Sequence, residues 1–259
     1  MMILGHNQGL GDCILMSGSV RYWAYSVGEV HYLVLPRNVS QIQHLYRDMP
    51  QVRVRSLGSV HGKRITSVYK GLKTKFRRAN IPHKIFNWGI MQNWEADINR
   101  LGLDSRINHW GEAFYRMMGV PYTARHDHWF FTRDYTRENK IFQDLNLSKN
   151  DKYIFSVNTR GKRNRRGFTN MKIDHCQGIR VITPESLPNL YNTFIFDWIG
   201  VIENASEIHT VDTSWFHLIK QLRLLTPKYY HRHPKRIVPA TAGSYVNDSY
   251  DTGWTIVNY

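Results

Sequence analysis

Short apolar runs alternate with amphipathic stretches along the whole chain. Met2-Ile3-Leu4 predicts a strand, and His6 to Asp12 a glycine-rich turn. Cys13 to Tyr25 carries Ile14, Met16, Val20, Trp23 and Ala24 at helical spacing, with small Ser17 and Gly18 between them and Gly28 as the stop. Val30 to Leu35 predicts the next strand, closed by Pro36. Gln41 to Arg47 reads as a second helix and Val52-Arg53-Val54 as another strand. A later helix covers His109 to Met118 and ends at Gly119, with Pro121 beyond it. Polar Arg133 to Leu145 reads as a linker helix, followed by a turn over Leu147 to Asp151. A domain boundary is expected there, giving domains of residues 1–145 and 146–259.

The pattern then restarts. Tyr153 to Val157 is a continuous apolar strand, and the basic loop Asn158 to Gly167 follows it. Ile179 to Ile182 predicts a strand, Phe194 to Ile202 an apolar helix, Glu207 to Val211 a strand and Thr213 to Leu224 a helix. Strands alternating with helices in both halves predict an α/β chain of two Rossmann-like domains with parallel sheets, facing a cleft. Parallel sheets hold ligands at the C-terminal ends of their strands, so the loops there are the candidates for chemistry.

Composition narrows the class. With 42% hydrophobic and 13% aromatic residues, the 259-residue chain can bury a core and is not disordered. No stretch approaches the roughly 18 uninterrupted apolar residues of a membrane span, and the N-terminus lacks the pattern of a secretory leader. Two cysteines, Cys13 and Cys176, are too few for a disulfide framework, so a cytoplasmic, reducing setting is expected. The formal charge of +15 calls for a polyanionic or phosphorylated partner. Between Asp48 and Glu95 there is no acidic residue, while Arg53, Arg55, Lys63, Arg64, Lys70, Lys73, Lys75, Arg77, Arg78 and Lys84 all lie within it.

Two loops carry candidate chemistry. In the first, His6 and Asn7 lead into Gly9-Leu10-Gly11-Asp12, where the glycines let backbone approach a ligand and the helix start offers unpaired amides. Asp12 reads equally as a helix cap or as a carboxylate that accepts a proton from a hydroxyl nucleophile. The spacing is not a dinucleotide fingerprint, because Ile14 occupies the third glycine position. The second loop is Asp212-Thr213-Ser214-Trp215-Phe216-His217-Leu218, where Asp, Thr and Ser at a helix start can cap it or hold phosphate or sugar hydroxyls. His217 lies one turn on, as a packed core histidine or as a ligand-binding one.

Together, Gly-Leu-Gly-Asp opening the first helix and Asp-Thr-Ser-x-x-His-Leu opening a late one resemble glycosyltransferase family 9, the heptosyltransferases, and more broadly the GT-B superfamily. The late family motif usually has glycine where Ser214 stands, and the family is usually longer than this chain. The resemblance implies a metal-independent, inverting transfer of a sugar from a nucleotide-sugar donor to a glycan or lipid-linked acceptor. It makes Asp12 the general base and gives Asp212 and Thr213 to the donor; Ser214 and His217, on the same helix start, are the further donor-side candidates. His6, Asn7, Gly9 and Gly11 then belong to the acceptor-side loop. The chemistry needs positive charge at the leaving diphosphate, which Arg160, Lys162, Arg163 and Arg166 of the basic loop can supply.

No Asp-x-Asp pair is present to clamp a metal diphosphate, and His126-Asp127-His128 and His231-Arg232-His233 lack a third placed ligand, so no metal and no cofactor are expected. An anionic, lipid-linked acceptor would suit the basic stretch and bring the protein to the inner face of a membrane as a peripheral contact. Two rival readings are a basic nucleic-acid-binding protein and an inactive GT-B-like nucleotide binder. The first would show steep salt dependence, but no nucleic-acid motif accompanies the charge.

Overall fold

In a computed structural model the described residues are 1–6, 9–58, 64–86, 110–148, 150–157, 178–187, 193–232 and 253–258, together with 99, 102, 103, 173 and 246. The chain divides into two units, Met1–Thr132 and Arg133–Tyr259.

The first unit is built on a parallel sheet of order β3-β2-β1-β4, with β1 at Met2–His6, β2 at Val30–Val34, β3 at Val52–Ser56 and β4 at His83–Phe86. Burial follows position in the sheet. Interior β1 is buried at every residue, whereas edge strand β3 buries Val52 and Val54 and turns Arg53 and Arg55 outward. Helix α1 spans Leu10–Leu15 and α2 spans Ser17–Val27. The single helix expected over Cys13 to Tyr25 is therefore interrupted at Met16. There the Ser17 hydroxyl donates to Ile14 O (2.7 Å) and the Ser19 hydroxyl to Met16 O (2.7 Å), local bonds that compete with the helical ladder.

Helices α3 (Val39–Leu45), α4 (Arg64–Arg78), α5 (Trp110–Met118) and α6 (Ala124–Asp127) also belong to the first unit. Gly18 of α2 lies against the α6 backbone so closely that a Cβ there would sit 2.1 Å from Ala124 O. Beside it, fully buried Arg21 donates to both carboxylate oxygens of Asp48 (2.7 and 2.8 Å), to Leu45 O (3.2 Å) and to Phe130 O (2.9 Å). A buried guanidinium is tolerable only when paired in this way, here through both terminal nitrogens.

The second unit has a parallel sheet of order β6-β5-β7-β8-β9, formed by β5 (Tyr153–Val157), β6 (Arg180–Ile182), β7 (Glu207–Thr210), β8 (Lys228–Arg232) and β9 (Trp254–Asn258). Helix α7 covers Tyr135–Asp144, α8 Ile199–Glu203 and α9 Ser214–Leu222. The expected Phe194–Ile202 helix opens instead as a 3₁₀ turn over Ile195–Trp198, where buried Asp197 accepts from Phe194 N (2.7 Å). The core is aromatic. Phe155, Trp198 and Trp215 meet with ring centroids 5.7 to 6.1 Å apart, and Phe216 touches Tyr230 and Trp254 at 5.0 and 5.1 Å. Such ring pairs add about 0.5–1.5 kcal/mol each beyond their buried area.

Helix α7, expected as a linker, belongs to the second unit. Arg137 grips Asp197 with two bonds (2.9 and 2.7 Å), and Arg133 bonds Glu138 and Glu203. The boundary between units thus falls before this helix rather than after it.

Candidate functional site

In each sheet the chain reverses its direction of travel at one point. In the first unit β1 leads to β2 and β3 on one side, while β4 pairs on the other. In the second, β5 leads to β6 on one side and pairs with β7 on the other. Loops leaving the C-terminal ends of strands at such reversals part from one another and leave a crevice suited to a ligand. The loop after β1 holds Gly9 to Asp12. The loops after β5 and β7 hold the basic segment and Asp212-Thr213, and they leave from the same end, because Val157 pairs with Thr210.

Asp12 sits at the third residue of α1 rather than at its cap. Gly9 is the cap, in extended conformation, and its amide donates to Asp12 Oδ2 (3.0 Å). The side chain is half-buried. The Gly9 amide thus helps to hold it within the first helical turn. Gly11 is buried and Gly9 half-buried.

His6, the last residue of β1, lies fully buried with its Nε2 2.5 Å from the Tyr32 hydroxyl. Burial drives its pKa down to about 3, so the ring is neutral near pH 7 and offers a substrate no charge. Burial also pushes the neighbouring Cys13 thiol far above its ordinary value, reinforced by the Asp12 charge, which makes it a packed thiol and not a nucleophile. Asn7 lies outside the described residues.

In the second unit Thr213 caps α9 in extended conformation, yet its side chain makes no capping bond. Its Oγ1 is buried and has no hydrogen-bond partner among the described residues. A buried hydroxyl in that state is costly, and here it stands beside the open amides of a nine-residue helix. Asp212 and Ser214 are half-buried on either side. His217 is buried one turn on, its Nε2 3.9 Å from Asp212 Oδ1. Trp215 and Phe216 anchor the helix in the aromatic core, which fixes where its N-terminus points. Arg160, Lys162, Arg163 and Arg166 lie outside the described residues.

One buried polar cluster escaped the sequence reading. His209 Nδ1 is 2.9 Å from His231 Nε2, His209 Nε2 is 3.3 Å from Glu207 Oε2, and Tyr229 stacks on the His209 ring at 4.5 Å. The signal was period two: Glu207 and His209 on β7 face the same way as Tyr229 and His231 on β8. Among the described residues no group of three or more His, Cys, Asp or Glu side chains is placed to hold a metal ion. No helix among them is long and apolar enough to cross a membrane.

No protein-family model matches the chain, and no curated protein matches it. Solved structures do. The crystal structure of the glycosyl transferase family 9 protein from Veillonella parvula superposes with a TM-score of 0.54 at 11% identity, over 99% of this chain and 86% of that one. E. coli ADP-heptose lipopolysaccharide heptosyltransferase II superposes with a TM-score of 0.53 at 14% identity, over 99% and 90%. At these identities the likeness is one of fold. The chain has the α/β fold of family 9 and GT-B glycosyltransferases along its full length.

Proposed function

We propose that the protein is a glycosyltransferase that moves a sugar from a nucleotide-sugar donor to a glycan or lipid-linked acceptor. The observation that carries this reading is the placement of both candidate loops at the reversal points of their sheets, in a chain that shares its fold with two glycosyltransferases end to end. Asp12 takes the proton from the acceptor hydroxyl as its oxygen attacks the anomeric carbon. The bond from that carbon to the diphosphate oxygen breaks on the opposite face, and configuration inverts. The leaving diphosphate receives the N-terminal amides of α9 and the Thr213 hydroxyl, with Arg160, Lys162, Arg163 and Arg166 supplying positive charge. Asp212, Ser214 and His217 are assigned to the donor sugar and its diphosphate, and His6, Asn7, Gly9 and Gly11 to the acceptor-side loop. The unpartnered Thr213 oxygen supports the donor assignment, since a phosphate would satisfy it.

The transfer is proposed to run without metal, in line with a sequence that has no Asp-x-Asp pair. The acceptor is proposed to be anionic, in line with the acid-free basic stretch, and to bring the protein to a cytoplasmic membrane face. ADP-heptose, named for the E. coli neighbour, is the first donor to try.

The test is a thermal-shift screen of nucleotide sugars and their free diphosphates, followed by turnover. One donor and its diphosphate should both raise the unfolding temperature, in proportion to ln(1 + [L]/Kd). No response to any donor, joined with tight and salt-steep binding of RNA or DNA, would replace the reading with nucleic-acid binding.

A further inference from the structure

We propose that the first unit carries a second anion site, for a small phosphomonoester, at the end of its sheet opposite the Asp12 loop. The site is a cleft of about 340 Å³ lined by Lys73 and Arg77 of α4, His83, Lys84 and Ile85 of β4, and Met117 and Met118 of α5. Its position follows from the strand register. Ile3 pairs with His83 and His6 with Phe86, so His83 and Lys84 lie at the N-terminal end of β4, while the chain leaves β1 for Asp12 at the other end. The assignment does not rest on glycosyl transfer.

Charge decides what the cleft takes. Among the described residues three cationic side chains, Lys73, Arg77 and Lys84, line it and no carboxylate does. Among the described residues none of the three has an ion pair. The ordinary reason for such a cluster is the C-terminus of a helix, and α4 and α5 both end at this cleft. Each helix end is worth only about half a negative charge, so two of them leave a surplus of about two positive charges. A phosphomonoester carries about −1.5 to −2 near neutral pH and matches that surplus, whereas a carboxylate leaves half of it unmet.

The other wall is apolar. Ile85 and Met118 are buried, and half-buried Met117 presents flexible, polarizable surface to a ligand's organic body. The volume is at the lower end of small-molecule sites, larger than a bare ion requires. His83 Nδ1 is committed to Ile81 O (2.8 Å), and its ring packs on Phe76, which holds this wall in place.

The experiment is calorimetric titration of the full chain with phenyl phosphate, and with benzoate as the monoanion of similar size. Phenyl phosphate should bind, and benzoate should bind at least about tenfold more weakly. The double variant Arg77→Gln/Lys84→Met should lose at least about tenfold in phenyl phosphate affinity with an unchanged unfolding temperature, whereas the charge-conserving Lys84→Arg, with Arg77 intact, should keep most of it. Thr213→Val, in the other unit, should leave this binding as it was. Absence of phenyl phosphate binding overturns the proposal, as does equal affinity in the double variant or loss on Thr213→Val. Vesicles of phosphatidylcholine containing phosphatidic acid present the same group on a lipid. Capture by these vesicles without binding of phenyl phosphate would overturn the small-molecule assignment.

Discussion

The loop after β1 and the loop after β7 each border the reversal point of their sheet, and they handle polar groups in opposite ways. Before α1 the chain supplies its own partner: the Gly9 amide bonds the Asp12 carboxylate. Before α9 the capping residue is present and its hydroxyl makes no capping bond. The first arrangement is internally satisfied and fixes a carboxylate in place. The second leaves a donor group and helix amides for something else to satisfy. A base needs a fixed geometry and a phosphate site needs open donors, so the difference matches the division of labour proposed for the two loops.

The largest expected effect comes from Asp12→Asn, which keeps the shape but removes the base. Turnover should fall about 10²–10⁴-fold with donor binding preserved, measured as kcat beside a donor titration. If kcat holds, Asp12 is a helix-capping group and the contrast between the loops loses its functional meaning.

The packing glycines give the next test. Gly18→Ala drives a methyl into backbone at Ala124 and should cost about 3 kcal/mol in urea denaturation. Gly200→Ala in the second unit meets side chains rather than backbone, the Arg133-held Glu138 carboxylate at 2.9 Å and the Phe142 ring at 3.1 Å, and should cost about 1 kcal/mol. Equal costs would mean that the first unit yields at this contact as readily as the second.

His6 sets a pH dependence. Its folded pKa lies near 3 against an ordinary 6.5, so below 6.5 the unfolded chain binds a proton that the folded chain does not. His6 therefore adds stability that is fully present above about pH 6.5 and is lost as pH falls toward 3, by at most about 1.4 kcal/mol per pH unit. His6→Gln should flatten that slope in denaturation curves taken between pH 4 and pH 7.

The smallest and sharpest effect is that of Thr213→Val. Removing an unpartnered hydroxyl should leave the unfolding temperature level or slightly raised, while diphosphate affinity falls about tenfold. A fall in both would show that the hydroxyl has a structural partner.

Much of the fold was legible because buried strands such as Tyr153–Val157 and stripes such as Ile14, Val20 and Ala24 are patterned by the core they face. What was not legible has physical causes. Strand β4, His-Lys-Ile-Phe, is short and carries charge at its open end, so nothing in its periodicity announces it. Strand β8 buries Lys228, whose ammonium donates to Leu224 O at 2.7 Å, and its Lys-Tyr-Tyr-His-Arg reads as a surface segment until the sheet around it is known. Strand β9 follows a long connection and gains its place by pairing with β8. At the candidate site the residue types were legible, but their state was not. The Gly9 bond to Asp12, the sealed surroundings of His6 and the unmet oxygen of Thr213 depend on neighbours brought together by folding.

The bonds of Arg21 carry a consequence for biosynthesis. Its guanidinium rests on Asp48 and on Phe130 O, the latter 109 residues beyond Arg21 itself; Tyr115 likewise reaches back 100 residues to Leu15 O. During translation the early helices emerge long before these partners, and a lone guanidinium has no reason to leave water. The first unit should therefore close only when the segment through Phe130 has left the ribosome. It would then do so before any strand of the second sheet has emerged to pair with it wrongly.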